Sequence, residues 1–521
     1  MGRQVGLFGV DIGTESLRTL LFDSTGTLLA SAVRPHTTYS PQHGFFEQNP
    51  GDWWRGLKET VAECLRLSSF PVESVAAMGF TGTACTPLSV DAKGEAISPA
   101  IMWMDTRAHE EAKSLTAMQH PATKQSGNLI SAEWMLPKAL WVKKHQPEVW
   151  ERTAKFMECY DYLLYKLSGD YVTSTSAAVG KRNWSKVHGG WPHDLYSQAG
   201  IPEFVEKNAD EIVFPFEKAA VLSPMGAEEL GLKPGVVLAT CGPDGYAAMA
   251  GMNALSTKTF GLIIGSSNVQ LLPTEKPHSI PGMWGPWRDI LLPGQWLIEG
   301  GQLTTGSVLR WFVQHFAADA AAAAKQRGMR VYEYLDREAS SIGAGSDGLI
   351  VLDYWQGNRT PFNDSHASGA IWGLTLNHSQ AHVYRAVLEG IAYGTALSLN
   401  LFQDYGLDPK VIIACGGGTM SSLWLQIYAD CCGLPVQVPE NTSAAALGAA
   451  INASVAAGLY SHVTEASEAM VKLKDAVEPN AAVIEIYRHN MEHYRETYRA
   501  LKDNMYSLSV WKDGPRGYDH G

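Results

Sequence analysis

VGLFGVDIGTESLRTLLF, residues 5–22, holds two apolar runs separated by a bend. Residues 5–10 suit a strand buried on both faces, and residues 16–22 suit its return. Gly13 permits the tight turn between them. The DSTG signal at 23–26 marks the next turn, and residues 27–33 complete a three-stranded meander. Residues 50–67 follow, with Trp53, Trp54, Leu57, Val61 and Leu65 on one helical face. Residues 74–80 read as another strand.

The order strand–strand–strand–helix–strand opens a ribonuclease H-like layer, and a similar opening recurs mid-chain. Residues 258–264 are strand-like and end in Gly265-Ser266-Ser267-Asn268, after which residues 269–272 resume. Further strands are expected at 291–298, 348–352 and 411–414. Helices are expected at 304–316, 381–405, 421–432 and 443–458. Two halves that open alike predict an internal duplication. The expected fold is α/β, with two ribonuclease H-like domains, residues 1–255 and 256–521, around a central cleft. No long Pro- or Ser-rich linker separates them. Residues 317–326 (AADAAAAAKQ) favour a helix without chemistry, and the last eleven residues suggest a frayed tail.

Composition bounds the partners. A chain of 521 residues, 45% hydrophobic and 18% charged, is globular and has room for large cores. Its formal net charge of −12 argues against a nucleic-acid or anionic-membrane surface, since both select basic faces. Local nucleotide binding is untouched by that argument. No apolar run reaches the length of a membrane span, and the N-terminus lacks the apolar core of a signal peptide, so a cytoplasmic protein is expected. Seven cysteines with no C-x-x-C pair point to reduced thiols rather than a disulfide or zinc framework. The adjacent Cys431 and Cys432 read as a helix end.

Four segments carry chemistry. Asp11, at the end of a buried strand, is placed to hold a hydrated cation. Gly13, Thr14 and Ser16 offer close backbone approach, N–H groups and hydroxyls. That combination suits nucleotide phosphates, although an ordinary hairpin turn uses the same residues. Gly265-Ser266-Ser267-Asn268 supplies a matching turn, and no G-x-x-x-x-G-K-[ST] pattern occurs. Asp244 follows an apolar run at 236–239 and precedes the small, helical AAMAGMNA. There it is either a proton acceptor kept ionised by a helix N-terminus or a plain cap. Gly416-Gly417-Gly418 lets a base or ribose lie against backbone. The Ala-rich segment 443–456 either leaves space for something planar or packs a helix closely.

At these residues the chain resembles the FGGY family of carbohydrate kinases, within the actin-like, Hsp70-like ATPase superfamily. The resemblance runs from about residue 5 to residue 460. Its most specific piece is Gly369-Ala370-Ile371-Trp372-Gly373-Leu374 followed by His382-Val383-x-x-Ala386-Val387-Leu388-Glu389. Other matching stretches are FGVDIGTESLR (8–18), Trp103-Met104-Asp105-Thr106-Arg107, Arg359-Thr360-Pro361 and GGGTMSSLWLQIYAD (416–430). The family's other signature is replaced by Glu133-Trp134-Met135-Leu136-Pro137-Lys138, a departure that resembles the ribulokinase branch. Ser131-Ala132-Glu133-Trp134, Thr81-Gly82-Thr83-Ala84-Cys85-Thr86-Pro87, Gly180-Lys181-Arg182-Asn183-Trp184 and IPGMWGPWRDILLPGQWLIEGGQLTTG (280–306) are similar to that branch. The xylulokinase-type Gly-Gln-Met-His motif is absent.

The resemblance implies ATP and Mg2+ as cofactors and assigns roles residue by residue. Asp244 corresponds to the general base, and Asp11 and Asp244 would flank the metal. Thr14, Glu15 and Arg18 would lie on the first phosphate loop, and Gly265, Ser266 and Ser267 on the second. Gly416, Gly417, Gly418 and Ser421 would hold the adenosine. Thr83, Asp105, Glu133, Lys181 and Asp244 would meet the sugar, with Glu299 and Gln302 near the cleft. The N-terminal half would thus carry the sugar site, first phosphate loop and catalytic aspartate, and the C-terminal half the second loop and adenosine site. The expected reaction is phosphorylation of a pentulose, ribulose first, at a terminal hydroxyl. The alternatives are xylulose, a polyol such as erythritol, or an actin-like nucleotide-binding scaffold without a sugar substrate. The expected partner is a small sugar, with no nucleic acid or membrane, and a homodimer is admitted. His489 and His493, four apart, lack a third ligand for a metal. Most of the 16 tryptophans belong to the core, with one or two stacking on sugar.

Overall fold

The computed structural model describes residues 5–126 and 129–513. A six-stranded sheet runs in the order Ala220–Val221, Val237–Pro243, Val75–Gly82, Gly6–Ile12, Ser16–Asp23, Leu28–Pro35. Gly6–Ile12 pairs antiparallel with Ser16–Asp23, placing Asp11 opposite Arg18, and parallel with Val75–Gly82, placing Asp11 level with Thr81. Val237–Pro243 continues the parallel run with Gly242 level with Thr81. The carboxyl ends of three parallel strands therefore share one edge, the usual ligand side of such sheets. Asp11 and Asp244 both lie at that edge.

A second six-stranded sheet repeats the plan in the order Trp284–Arg288, Trp296–Gln302, Asn268–Thr274, Thr259–Ile264, Val411–Cys415, Val436–Gln437. Thr259–Ile264 is antiparallel to Asn268–Thr274 and parallel to Val411–Cys415. Gly265 and Gly416 follow the carboxyl ends of that parallel pair, much as Asp244 follows Val237–Pro243 and Asp11 sits at the end of Gly6–Ile12, one residue before its last, in the first sheet.

Helix Pro50–Ser68 covers the first sheet with Trp53, Leu57, Val61 and Cys64, and its Asn49 cap accepts the Gly51 N–H. Helix Ala444–Ala456 also lies on the first sheet, although it follows the second in sequence. A Cβ at Gly9 would stand 1.9 Å from the Ala446 carbonyl oxygen, and one at Gly79 2.0 Å from that of Ala449. Helix Asp244–Gly251 crosses the same helix: a Cβ at Gly448 would stand 1.8 Å from the Ala247 carbonyl oxygen, and one at Gly251 1.9 Å from that of Ala444. The small residues at 443–456 thus serve backbone-to-backbone packing, and the planar-guest reading of that segment is withdrawn. One apolar cluster joins these two helices to Leu7, Ala77 and Ala239 of the first sheet and to Leu271, Leu297 and Ile413 of the second.

Two expectations need correction. The strand expected at 291–298 is displaced: Trp284–Arg288 and Trp296–Gln302 form an antiparallel hairpin, and Pro293-Gly294 lies in its turn, with Gly294 at φ +77°. Helix Ile484–Asp513 runs into the expected tail, whose remaining residues lie outside the described ones. The segment AADAAAAAKQ does form a helix, Ala318–Gln326. Among the described residues no helix is long and apolar enough to cross a membrane. All seven cysteines are free, and Cys431 and Cys432 end helix Ser422–Cys432.

Candidate active site

The edge of the first sheet brings two carboxylates together. Asp11 Oδ1 is sealed from solvent and has no hydrogen-bond partner. Burial, then repulsion from Asp244, pushes the Asp11 carboxyl up to about 7, against an opposing pull from Arg18. Asp244 begins helix Asp244–Gly251, and its Oδ1 accepts the Gly245 N–H at 2.7 Å. Its carboxyl is raised chiefly by burial, offset by that N–H and the charge of Lys181. An orphaned, desolvated carboxylate oxygen beside a second carboxylate is the donor set a hard divalent cation satisfies. Among the described residues no group of three His, Cys, Asp or Glu side chains is gathered. Among the described residues, these two carboxylates are what this edge offers a cation.

Opposite them lies a cluster drawn from both halves. Lys181 Nζ stands 3.1 Å from Glu299 Oε1, and the Tyr246 hydroxyl donates to Glu299 Oε2 at 2.6 Å. Glu299 is buried on strand Trp296–Gln302. Burial, the largest single effect, lowers the Lys181 ammonium, but the pulls of Glu299 and Cys85 together exceed it and the net shift is upward. The Trp284 ring carries Lys181 at 5.3 Å and the Arg359 guanidinium at 4.9 Å. Arg359 Nη2 also lies 3.8 Å from Glu133 Oε1. Beside this cluster a recess with room for about one water is lined by Ala84, Cys85, Glu158, Lys181 and Tyr246, among others.

Each sheet carries a turn between an antiparallel strand pair at its edge of carboxyl ends. In the first, Gly13 N donates to Ser16 O, Trp103 Nε1 donates to Thr14 Oγ1 at 3.0 Å, and Glu15 and Arg18 are exposed. In the second, Thr305, Gly306 and Ser307 donate backbone N–H groups to Ser266 and Gly265 carbonyls. Those bonds pin the turn onto the start of helix Gly306–Phe316, and Arg310 Nη2 reaches Ser266 Oγ at 3.1 Å. Gly265 and Ser266 are exposed. Gly416 adopts φ +94° against Ile264, while a Cβ at Gly417 would meet nothing within 4 Å. Ser421 caps the next helix by accepting the Trp424 N–H.

Residues 7–251 match the N-terminal domain of the FGGY family of carbohydrate kinases, and residues 261–457 match its C-terminal domain. The chain belongs to that family. A ribulokinase from Halalkalibacterium halodurans is 31% identical over 97% of this chain and 97% of its own length. An FGGY carbohydrate kinase domain-containing protein from Xenopus laevis is 29% identical, covering 97% and 99%. The crystal structure of xylulose kinase from Rhodospirillum rubrum superposes with a TM-score of 0.83 at 26% identity, over 96% of this chain and all of that one. The fold is accordingly the two-domain, actin/Hsp70-like ATPase fold of sugar kinases, and the chain is a sugar kinase enzyme. Its family implies ATP as phosphoryl donor.

In this FGGY kinase two residues expected at or near the sugar, Asp105 and Gln302, are held by partners inside the protein. Asp105 is fully buried, with Oδ2 taken by the Phe46 N–H (2.6 Å) and Arg107 Nη2, and Oδ1 by Arg107 N and Nε. No lone pair faces the cleft, so Asp105 is corrected to a loop-holding residue. The Thr83 hydroxyl shares a hydrogen bond with Thr86 Oγ1 at 2.8 Å and keeps acceptor capacity. Gln302 is tied to Asn268 and Asp353 inside the second half. His489 and His493 face each other at 3.1 Å on an exposed helix surface.

Sequence reasoning missed four contributors. Tyr246 lies two residues after Asp244 and hides within a small-residue helix. Trp284 and Arg359 fall in stretches that carried the resemblance, but nothing local marks them as partners of one another. Arg310, one turn into its helix, was legible only as part of an amphipathic pattern. Lys138, which donates to the Cys85 and Met102 carbonyls, and Glu158, which accepts the Thr86 N–H, buttress the 83–87 segment from below.

Proposed function

We propose that this kinase transfers the γ-phosphoryl group of ATP to a terminal hydroxyl of a pentulose, ribulose first. The observation that carries the reading is Asp244, a partly desolvated carboxylate at a helix N-terminus beside Asp11 and facing the Lys181–Glu299–Tyr246 cluster. A carboxylate whose proton affinity is raised by burial suits a general base. Asp244 takes the hydroxyl proton while the sugar oxygen forms its bond to phosphorus, and the bond to the bridging oxygen of ADP breaks. Lys181, Glu299 and Tyr246 supply donors and acceptors for the remaining hydroxyls.

Asp11 and Asp244 would hold Mg2+, which when bound neutralises charge on the phosphoryl oxygens. Thr14, Glu15 and Arg18 on one turn, and Gly265, Ser266 and Ser267 on the other, approach the phosphates. Gly416, Gly417 and Gly418 take the adenosine, with Ser421 acting through its cap. In this reading residues 1–255 carry the sugar site and base, and residues 256–521 the nucleotide. The exchanged helix Ala444–Ala456 is the joint between them. A cytoplasmic location and a homodimer belong to the same proposal.

The ribulokinase from H. halodurans supports ribulose, and the R. rubrum structure favours xylulose as the second reading. A coupled ADP assay across ketopentoses, aldoses, glycerol and erythritol separates them by kcat/KM. The Asp244→Asn variant is expected to lose about 10²–10⁴-fold in turnover while still binding ATP. ADP release independent of every sugar, or near-normal turnover in that variant, would overturn the proposal.

A further inference from the structure

We propose that Arg359 is a positioning residue for sugar binding, which pairs with Glu133 across the cleft, stacks on Trp284 and so fixes the closed register in which Lys181 meets Glu299. This rests on the sugar-kinase reading above and extends it to a residue without a reactive role.

Two ion pairs cross between the halves with opposite polarity. The first half contributes Glu133 and Lys181, and the second contributes Arg359 and Glu299. A slip that exchanged partners would set Lys181 against Arg359 and Glu133 against Glu299, so like charges penalise every register but one. Lys181 and Arg359 already share one indole, at 5.3 and 4.9 Å, and the Trp134 ring of the first half meets that indole edge-on at 6.1 Å. A planar guanidinium can stack there and still present a donor to Glu133, which an ammonium does less well.

Arg359 and Glu299 belong to one rigid frame. Gly301 N, two residues past Glu299, donates to Thr360 Oγ1 at 3.2 Å, and Thr360 Oγ1 donates to Gly282 O at 3.4 Å. Asn358 closes the loop by donating to Thr360 O and accepting from the Phe362 N–H. Whatever moves Arg359 toward Glu133 therefore moves Glu299 toward Lys181. The Arg359 and Glu133 side chains are 15% and 28% exposed and meet at 3.8 Å through one nitrogen. Glu133 is thus the more open of the two acids, against 3% for Glu299 in the other pair.

The test is steady-state kinetics on the full chain for Arg359→Met, Glu133→Gln, the double variant, Arg359→Lys and the charge swap Glu133→Arg/Arg359→Glu. Arg359→Met should raise the sugar KM about ten-fold, the size of one half-exposed ion pair plus one cation–π contact. Its kcat and ATP KM should change less than about three-fold, as expected for lost positioning rather than lost chemistry. Glu133→Gln should raise the sugar KM in the same direction, the double variant should be no worse than Arg359→Met, and the swap should recover part of the loss. Added salt should raise the sugar KM of the unaltered enzyme and leave that of Arg359→Met flat. Additive single effects, an unchanged sugar KM, or a loss confined to kcat would overturn the proposal. Because Glu133 is partly exposed, its variant keeps the test decisive if Arg359→Met folds poorly. Absence of sugar-dependent turnover in the unaltered chain would instead sink the kinase reading and this proposal with it.

Discussion

Replacing Lys181 by methionine removes the cation from a buried pair while keeping most of its volume. At 3.1 Å and an effective dielectric of ~20, the gross attraction between Lys181 and Glu299 is about 5 kcal/mol. Desolvation consumes part of it, and breaking such a pair from one side costs about 3–5 kcal/mol because the partner charge stays buried. Lys181→Met should therefore lower stability by about 3 kcal/mol. Adding Glu299→Gln removes the stranded charge and leaves an acceptor for Tyr246, so the double variant should return to within about 1 kcal/mol of the parent. If Lys181 meets the sugar as proposed, activity should not return, and kcat/KM in both variants should stay about 10²-fold down. The sign with pH follows from Lys181, whose folded value lies above its ordinary one. Its stabilisation is complete below the ordinary lysine value and is lost only as pH rises through the elevated one. The deficit of Lys181→Met should thus be flat from pH 7 to 9. Urea midpoints with circular dichroism and coupled ADP assays on the four proteins read both quantities. A double variant whose destabilisation equals the sum of the singles would refute the coupling.

Two further outcomes test the edge carboxylate and the packing of helix Ala444–Ala456. In metal-free protein Asp11 is held at about 7, far above its ordinary 3.8, so stability falls as pH rises between those values. Asp11→Asn should be more stable than the parent at pH 8 by about 2–4 kcal/mol and equal to it near pH 4, and only the parent should gain stability from added Mg2+; urea melts in chelator that coincide at pH 8 would contradict the burial argument. Gly448→Ala forces a Cβ to within 1.8 Å of the Ala247 carbonyl and should cost about 3 kcal/mol. Gly417→Ala, in open space, should change stability by less than about 0.5 kcal/mol while raising the KM for ATP. Equal thermal shifts for the two glycine variants would show that the small residues of that helix are not there for contact.

The elements legible in the sequence were those written by local rules. Apolar strands flanking Gly13 and Gly265 came out within a residue or two, because a buried parallel strand is a continuous apolar run and the turn needs small residues. Asp11 and Asp244 were legible for the same reason, since a carboxylate directly after such a run lies at a strand end. The hairpin Trp284–Arg288/Trp296–Gln302 was misplaced because its turn, Leu291 to Gln295, is itself largely apolar, and Pro293-Gly294 was not weighed against it. Asp105 was misread because its partner, Arg107, lies only two residues away and neutralises it before any ligand is involved; spacing alone does not reveal that a charge is already spent.

The helix Ala444–Ala456 shows where local reading fails on physical grounds. Its alanines and Gly448 were compatible with a flat guest or a close neighbour, and propensity cannot choose, because both demand the absence of side chains. The choice is made by Gly9, Gly79 and Gly251, up to 439 residues earlier, each of which lacks the Cβ that would strike this helix's backbone. Four glycines in four separate segments make sense only together: they let a helix of the second half seat on the sheet of the first and cross the helix that begins with Asp244. The same seating carries Glu299 and Arg359 to Lys181 and Glu133. The proposed cross-cleft site thus depends on residues remote from it, and a side chain at Gly448 should disturb the pairing of Lys181 with Glu299 before it disturbs either sheet.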